Sequence, residues 1–143
     1  MSNAIFKLEQ NENYALISWK SNELNQSNSL ELEDAIRNLF KKGYANMILD
    51  IKSVDAFDGY GVSCIRKGTK ICTNENGLFV VICKNEAILT RLDEAKIEEL
   101  TLFNTVSEGV DAIFFNDMEN DFKSDDEDEF GGGDSYDDLG DEY

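Results

Sequence analysis

The sequence predicts an α/β fold. A mixed sheet of four to five strands begins with an N-terminal β-hairpin, carries about four helices, and is followed by an acidic tail. Three observations lead there. The apolar runs Met47-Ile48-Leu49-Asp50-Ile51 and Leu78-Phe79-Val80-Val81-Ile82-Cys83 are too continuous for strands with one wet face, and suit central strands covered by helices on both sides. The segments before and after each run have helical apolar spacing, the pattern of crossover units joining parallel strands. Finally, residues 1–115 carry 17 acidic against 12 basic side chains, whereas residues 116–143 carry 13 acidic side chains against one Lys. Most of the net charge of −17 therefore belongs to the tail, and a single domain is expected over residues 1–115.

The hairpin is read from residues 5–10 and 14–20, with the polar loop Asn11-Glu12-Asn13 between them. Phe6, Leu8 and Leu16 are expected to face the core, and Trp19 to sit at its edge. Residues 21–27 read as a polar loop containing Glu23-Leu24-Asn25. Asn28 followed by Glu31 resembles a capping box. Leu32, Ala35, Ile36, Leu39 and Phe40 then trace one helix face, which Lys41, Lys42 and Gly43 close. The basic pair complements the helix dipole and needs no ligand to explain it.

The central strand leads into the turn Asp55-Ala56-Phe57-Asp58-Gly59-Tyr60-Gly61. Asp58 is an N-cap candidate, and the two glycines make a flexible turn ahead of Val62, Ile65, Thr69 and Cys72 at helical spacing. A strand that ends in such a turn places a loop at the carboxyl edge of the sheet, where sites of open α/β folds usually lie. The second helix should span about residues 60–73, with Arg66, Lys67 and Lys70 outward. After the second apolar strand, Asn85 caps a short helix bearing Ile88, Leu89, Leu92 and Ala95. Residues 98–103 read as an edge strand or extended link. Thr105-Val106-Ser107-Glu108 is a capping box that opens a last helix carrying Val110, Ile113 and Phe114.

From residue 116 the apolar period fades, and Asp125-Asp126-Glu127-Asp128-Glu129 precedes Gly131-Gly132-Gly133. High charge with little apolar content does not offset the ordering entropy, so 116–143 is expected to be a disordered acidic tail. Its aromatics Phe122, Phe130, Tyr136 and Tyr143 read either as anchors for a basic partner or as scattered residues of a solubilising tail.

Composition narrows the function. Residues 1–115 are only mildly acidic, but no surface rich in Lys and Arg is evident, so nucleic-acid binding through phosphates is not expected. Three cysteines, Cys64, Cys72 and Cys83, sit in apolar settings and read as buried free thiols of a reducing compartment. The absence of His and of any Cys-x-x-Cys pair argues against zinc and imidazole acid/base chemistry. No stretch is long and apolar enough to insert in a membrane, and the N-terminus has no signal-peptide pattern, so a cytoplasmic protein is expected. Asp50, Asp55 and Asp58 are close enough in sequence to suggest a Mg²⁺ cluster. Against this, the chain has no phosphate-binding loop and no nucleophile–base pair, so no cofactor is expected and no enzyme.

The element order, with Glu23-Leu24-Asn25 ahead of the first helix, Phe57-Asp58-Gly59-Tyr60-Gly61 after the central strand, and Leu102-Phe103-Asn104-Thr105-Val106-Ser107-Glu108-Gly109-Val110 near the end, resembles the STAS domain family. That family includes the bacterial anti-sigma factor antagonists. The resemblance spans about residues 4–115. It implies a non-enzymatic module for regulation of transcription, whose partner is an anti-sigma factor or a kinase-like regulator. It also implies a docking surface formed by Asn25, Asp58, Gly59, Tyr60, Gly61 and Ser63. In antagonists the turn commonly reads Asp-Ser-Ser-Gly or Asp-Ser-Thr-Gly, and its second hydroxyl is phosphorylated. Here Asp58 and Gly61 are kept while Gly59 and Tyr60 replace the hydroxyl residues, so the usual switch is missing. Tyr60 then reads either as a contact residue or as a ring packed over the neighbouring loop. Ser63, one turn further on, offers an alternative hydroxyl for phosphorylation. The resemblance admits a second role, as a small STAS subunit on the ATPase of an ABC-type lipid transport system.

Overall fold

The computed structural model describes residues 5–130, with side chains as far as Asp121. The expected hairpin pairs β1 (Phe6–Gln10) antiparallel with β2 (Ala15–Trp19). Next come the two-residue strand β3 (Glu23–Leu24), the helix α1 (Ser29–Lys41) and the central strand β4 (Met47–Asp50). A second two-residue strand, β5 (Ala56–Phe57), precedes α2 (Gly59–Thr73). The rest of the chain forms β6 (Phe79–Ile82), α3 (Glu86–Glu94), β7 (Thr101–Phe103) and α4 (Val106–Phe130). The main sheet has the order β1-β2-β4-β6-β7, and all its pairings except the hairpin are parallel.

Alternation along the central strands explains their continuous apolar runs. Met47 and Leu49 of β4, with Phe79 and Val81 of β6, face the core beneath α1, α2 and α3, which contribute Leu32, Ile36, Leu39, Ile65, Cys72, Ile88 and Leu92. Ile48, Val80 and Ile82 point the other way, into a smaller core closed by Ile113, Val106 and Val110 of α4. Both faces are thus sealed, and each fully buried aliphatic side chain contributes roughly 1.5–3 kcal/mol. The hairpin residues divide between the faces. Phe6 and Leu8 pack on the larger core, whereas Leu16 belongs to the smaller one, because adjacent strand residues point to opposite sides. Trp19 is almost fully buried and stacks on Phe6, with ring centroids 5.9 Å apart and planes 9° from parallel.

Several local expectations are modified. The Asn28–Glu31 capping box does not form: Asn28 turns its side chain into the preceding loop, accepting from Asn25 N and donating to Glu23 O. Phe40, placed on the buried face by its spacing, is 38% exposed. The C-terminus of α1 closes as expected. Gly43 takes φ +105°, and the amides of Gly43 and Tyr44 return to Phe40 O and Leu39 O, a Schellman arrangement. Thr105 and Glu108 form their capping box reciprocally, each side chain accepting from the other's backbone N–H at 3.2 Å. The helix it opens runs through residue 116 to Phe130. At 116–120 it is held by side chains: Asn116 and Asn120 both donate to Asn76 O, at 2.9 and 2.8 Å, and Asp117 accepts from Asn46. The first part of the expected disordered tail, 116–130, is therefore helical, and its remainder, 131–143, lies outside the described residues.

Candidate functional site

The two-stranded β3–β5 ribbon places two distant loops side by side. Glu23 pairs with Ala56 and Leu24 with Phe57. As a result the turn after Leu24 and the turn after Phe57 leave the ribbon together, at the carboxyl end of β4. Trp19 supports the arrangement from beneath, its indole N–H donating to Glu23 O at 2.8 Å. Asn22 O accepts from the amides of both Asp55 and Ala56.

Asp58 is the N-cap of α2, as its position suggests. Its Oδ1 accepts from Tyr60 N at 2.9 Å and Gly61 N at 3.3 Å. Its Oδ2 accepts from Gln26 N at 3.2 Å, in the loop ahead of α1. One carboxylate thus satisfies orphan amides of a helix start and ties a second loop to it. Asn25 organises that second loop. Its Oδ1 accepts from the amide and hydroxyl of Ser27, its Nδ2 donates to Glu23 Oε1, and its carbonyl accepts from Asn28 N and Ser29 N. Cys64 Sγ–H donates to Ser29 O at 3.2 Å, a further tie between α2 and the start of α1.

Gly61 is set by close approach. A Cβ there would lie 2.6 Å from a ring carbon of Phe57 and 3.2 Å from Leu24 O, so only glycine fits against the ribbon. Gly59 faces open space. Tyr60 is 51% exposed, and Ser63, three residues on and therefore on the same helix surface, is exposed. Within the site, Asp58, Gly61 and Asn25 make the scaffold, while Gly59, Tyr60 and Ser63 lie on its outer side.

Two neighbours escaped the sequence reading. Gln26 contributes its amide to Asp58, and no side-chain pattern announces a backbone contact. Leu30, in the first turn of α1, is 64% exposed. It lies out of phase with Leu32, Ala35, Ile36 and Leu39, which is a signal the sequence did contain. Further along α2, Lys67 reaches Glu33 Oε2 at 3.1 Å, which also accepts from Arg37 at 2.7 Å, and Arg66 donates to Ala95 O at 3.0 Å. These partly exposed ion pairs are worth little in stability, but they fix the outward cations of α2 relative to α1 and α3.

The cysteines and acids show what chemistry the region can do. Burial pushes the Cys64 thiol up to about 11, reinforced by the Glu33 carboxylate, and pushes Cys72 up to about 12. Cys83 is raised for the same reason. All three are free and buried, the opposite of a thiolate nucleophile's setting. Asp50 turns back on its own segment, accepting from Lys52 N at 3.0 Å and lying 3.6 Å from Lys52 Nζ. Among the described residues no group of three His, Cys, Asp or Glu is arranged to hold a metal ion. Also among them, no helix is long and apolar enough to cross a membrane. What the geometry offers is a solvent-facing edge at which two loops are tied together by hydrogen bonds.

A parallel-containing sheet with three helices on one face and one on the other, and an Asp-capped helix after the central strand, defines a small α/β domain of known type. The STAS domain family model matches residues 6–109, and the chain belongs to that family. Comparison with curated proteins gives no match. Among solved structures, a candidate anti-sigma factor antagonist from Thermotoga maritima superposes with a TM-score of 0.65 at 19% identity, covering 76% of this chain and 93% of that one. An anti-sigma factor antagonist from Mycobacterium paratuberculosis gives 0.62 at 19%, covering 76% and 92%. The Bacillus cell-fate determinant SpoIIAA in its phosphorylated form gives 0.60 at 14%, covering 76% and 98%. At such identities these likenesses establish the fold.

Proposed function

We propose that this STAS domain is a non-enzymatic, cytoplasmic regulatory module of the anti-sigma factor antagonist type. It docks a protein partner, an anti-sigma factor or kinase-like regulator, through Gly59, Tyr60 and Ser63 on a scaffold of Asn25, Asp58 and Gly61. The observation that carries this reading is the three-way engagement of the Asp58 carboxylate with Tyr60, Gly61 and Gln26. It holds both loops in one arrangement before any partner arrives, and preorganisation lowers the ordering cost of binding. The half-exposed Tyr60 at the start of α2 has the character of an interface anchor.

Because Tyr60 stands where the family carries its phosphorylated hydroxyl, the surface remains in one docking state unless Ser63 takes the modification. A phosphate on Ser63 would add about two negative charges three and four residues before Arg66 and Lys67. Affinity purification of the full chain, read by mass spectrometry, tests both points. We expect recovery of a regulator that Tyr60→Ala no longer retains. Recovery of the same regulator by wild type and by Tyr60→Ala in equal yield would remove this loop from the interface.

A further inference from the structure

We propose that the outward side of α4, around Phe114, Phe115 and Met118, is a second docking surface, and that it takes a basic amphipathic helical segment of a partner protein. The three side chains are 43%, 61% and 56% exposed. Their spacing, i, i+1 and i+4, makes them neighbours on one helix surface. That surface lies away from the sheet, since Val106, Val110 and Ile113 face the core and Asn116 and Asn120 reach back to Asn76. Two phenylalanines and a methionine form an adaptable apolar anchor of the sort that carries binding energy when covered.

Charge identifies the occupant. From Val106 to Asp121 the helix contains Glu108, Asp111, Asp117, Glu119 and Asp121 and no Lys or Arg. Asp111 lies one turn before Phe114 and Phe115, Glu119 one turn after Phe115, and Asp121 one turn after Met118, so carboxylates surround the apolar centre. A second copy of the same face would oppose acid to acid. The chain's own residues 131–143 carry five acidic side chains and no basic one, and are repelled equally. Anionic lipid and nucleic acid fail on the same ground. A helix with apolar residues at i, i+3, i+4 and i+7 flanked by Lys or Arg satisfies both the apolar centre and the acidic rim. Because α4 covers the sheet face opposite α1, α2 and α3, this surface is separate from the Asp58 loop.

The probe is an 18-residue helical peptide of Leu and Lys with Leu at that spacing; the control has Glu at every Lys. Each is titrated into the full ¹⁵N-labelled chain. We expect shifts on amides 111–121, an affinity that falls with salt, no binding of the Leu/Glu control, and at least a tenfold weaker Kd for Phe115→Ser/Met118→Ser. Both replaced side chains are exposed, and circular dichroism checks that the double variant stays folded. Shifts confined to 125–143, a Kd unchanged in the double variant, or equal binding of the Leu/Glu peptide would each overturn the proposal. So would a dimer in sedimentation that the double variant disperses, which would assign the face to a second copy.

Discussion

Asp58 Oδ2 accepts the amide of Gln26 across 32 positions of sequence, while Oδ1 of the same carboxylate caps α2. The two oxygens therefore do separable jobs. Asp58→Ala removes both and is expected to lower stability by about 1–2 kcal/mol, the usual cost of losing a good N-cap. Asp58→Asn keeps a capping oxygen but offers an amide nitrogen to Gln26, so the cap survives and the loop tie is lost. Hydrogen exchange by NMR should then show Gln26 deprotected in the Asn variant with Tyr60 and Gly61 still slow. Unchanged exchange at Gln26 would mean that the loop is held by Asn25 and Asn28 alone.

The two glycines of the turn should respond in opposite directions. Gly59 opens α2 with free space around its missing Cβ. Gly59→Ala is therefore expected to raise stability by about 0.5–1 kcal/mol, through helix propensity and a less flexible unfolded chain. Gly61→Ala drives a methyl into the Phe57 ring and should cost about 1–3 kcal/mol, the typical penalty for overpacking. Urea denaturation midpoints of the two variants measure the contrast directly.

These residues also show what the sequence discloses and what it withholds. β4, β6 and the three helices after them were legible because each buries enough side chains to leave a period. The N-cap at Asp58 was legible because capping is local. The ribbon of β3 and β5 was not, since two-residue strands carry no alternation and the polar composition of residues 21–27 is that of a loop. Asn28 misled for a related reason: its capping-box spacing competes with hydrogen bonds to Asn25 and Glu23 that only the folded ribbon supplies. The expected site residues Asn25, Asp58 and Gly61 thus come together through an element the sequence does not display. Leu30 was readable as an apolar residue out of phase.

The buried thiols make stability depend on alkaline pH. Cys72 and Cys64 are raised from 9.0 to about 12 and about 11 in the folded chain. Folding therefore favours the protonated form. That contribution is complete below pH 9 and is lost as pH rises from there through 11 and 12, because the unfolded chain releases the protons first. Denaturation midpoints should fall above pH 9, and less steeply in Cys72→Ala than in wild type. At pH 8 a disulfide exchange reagent should modify the native chain slowly and all three thiols quickly in denaturant. Rapid modification of the native chain would show that these cysteines are accessible.

Asn46 joins three parts of the chain that the crossover connections do not. It is 9% exposed; its Oδ1 accepts from Leu78 N at 3.0 Å, and its Nδ2 donates at 3.3 Å to Asn13 O and to Asp117 Oδ1. Asn46→Ala removes the partner of the Leu78 amide and of the Asn13 carbonyl, and should cost about 1 kcal/mol, the low end of the penalty for an unpaired group, because Leu78 is only half-buried and Asn13 is exposed to water. Asp117→Ala leaves those two backbone groups paired and should cost less. The same contacts bear on where the folded unit ends. A chain ending after Phe115 loses Asn116, Asp117 and Asn120, and with them both donors to Asn76 O. It should be less stable than a chain ending after Asp121 by about 1–2 kcal/mol, at roughly 0.5–1.5 kcal/mol for each net hydrogen bond. Equal denaturation midpoints for the two truncations would place the end of the cooperative unit at residue 115, with the turns beyond it held in place but contributing nothing.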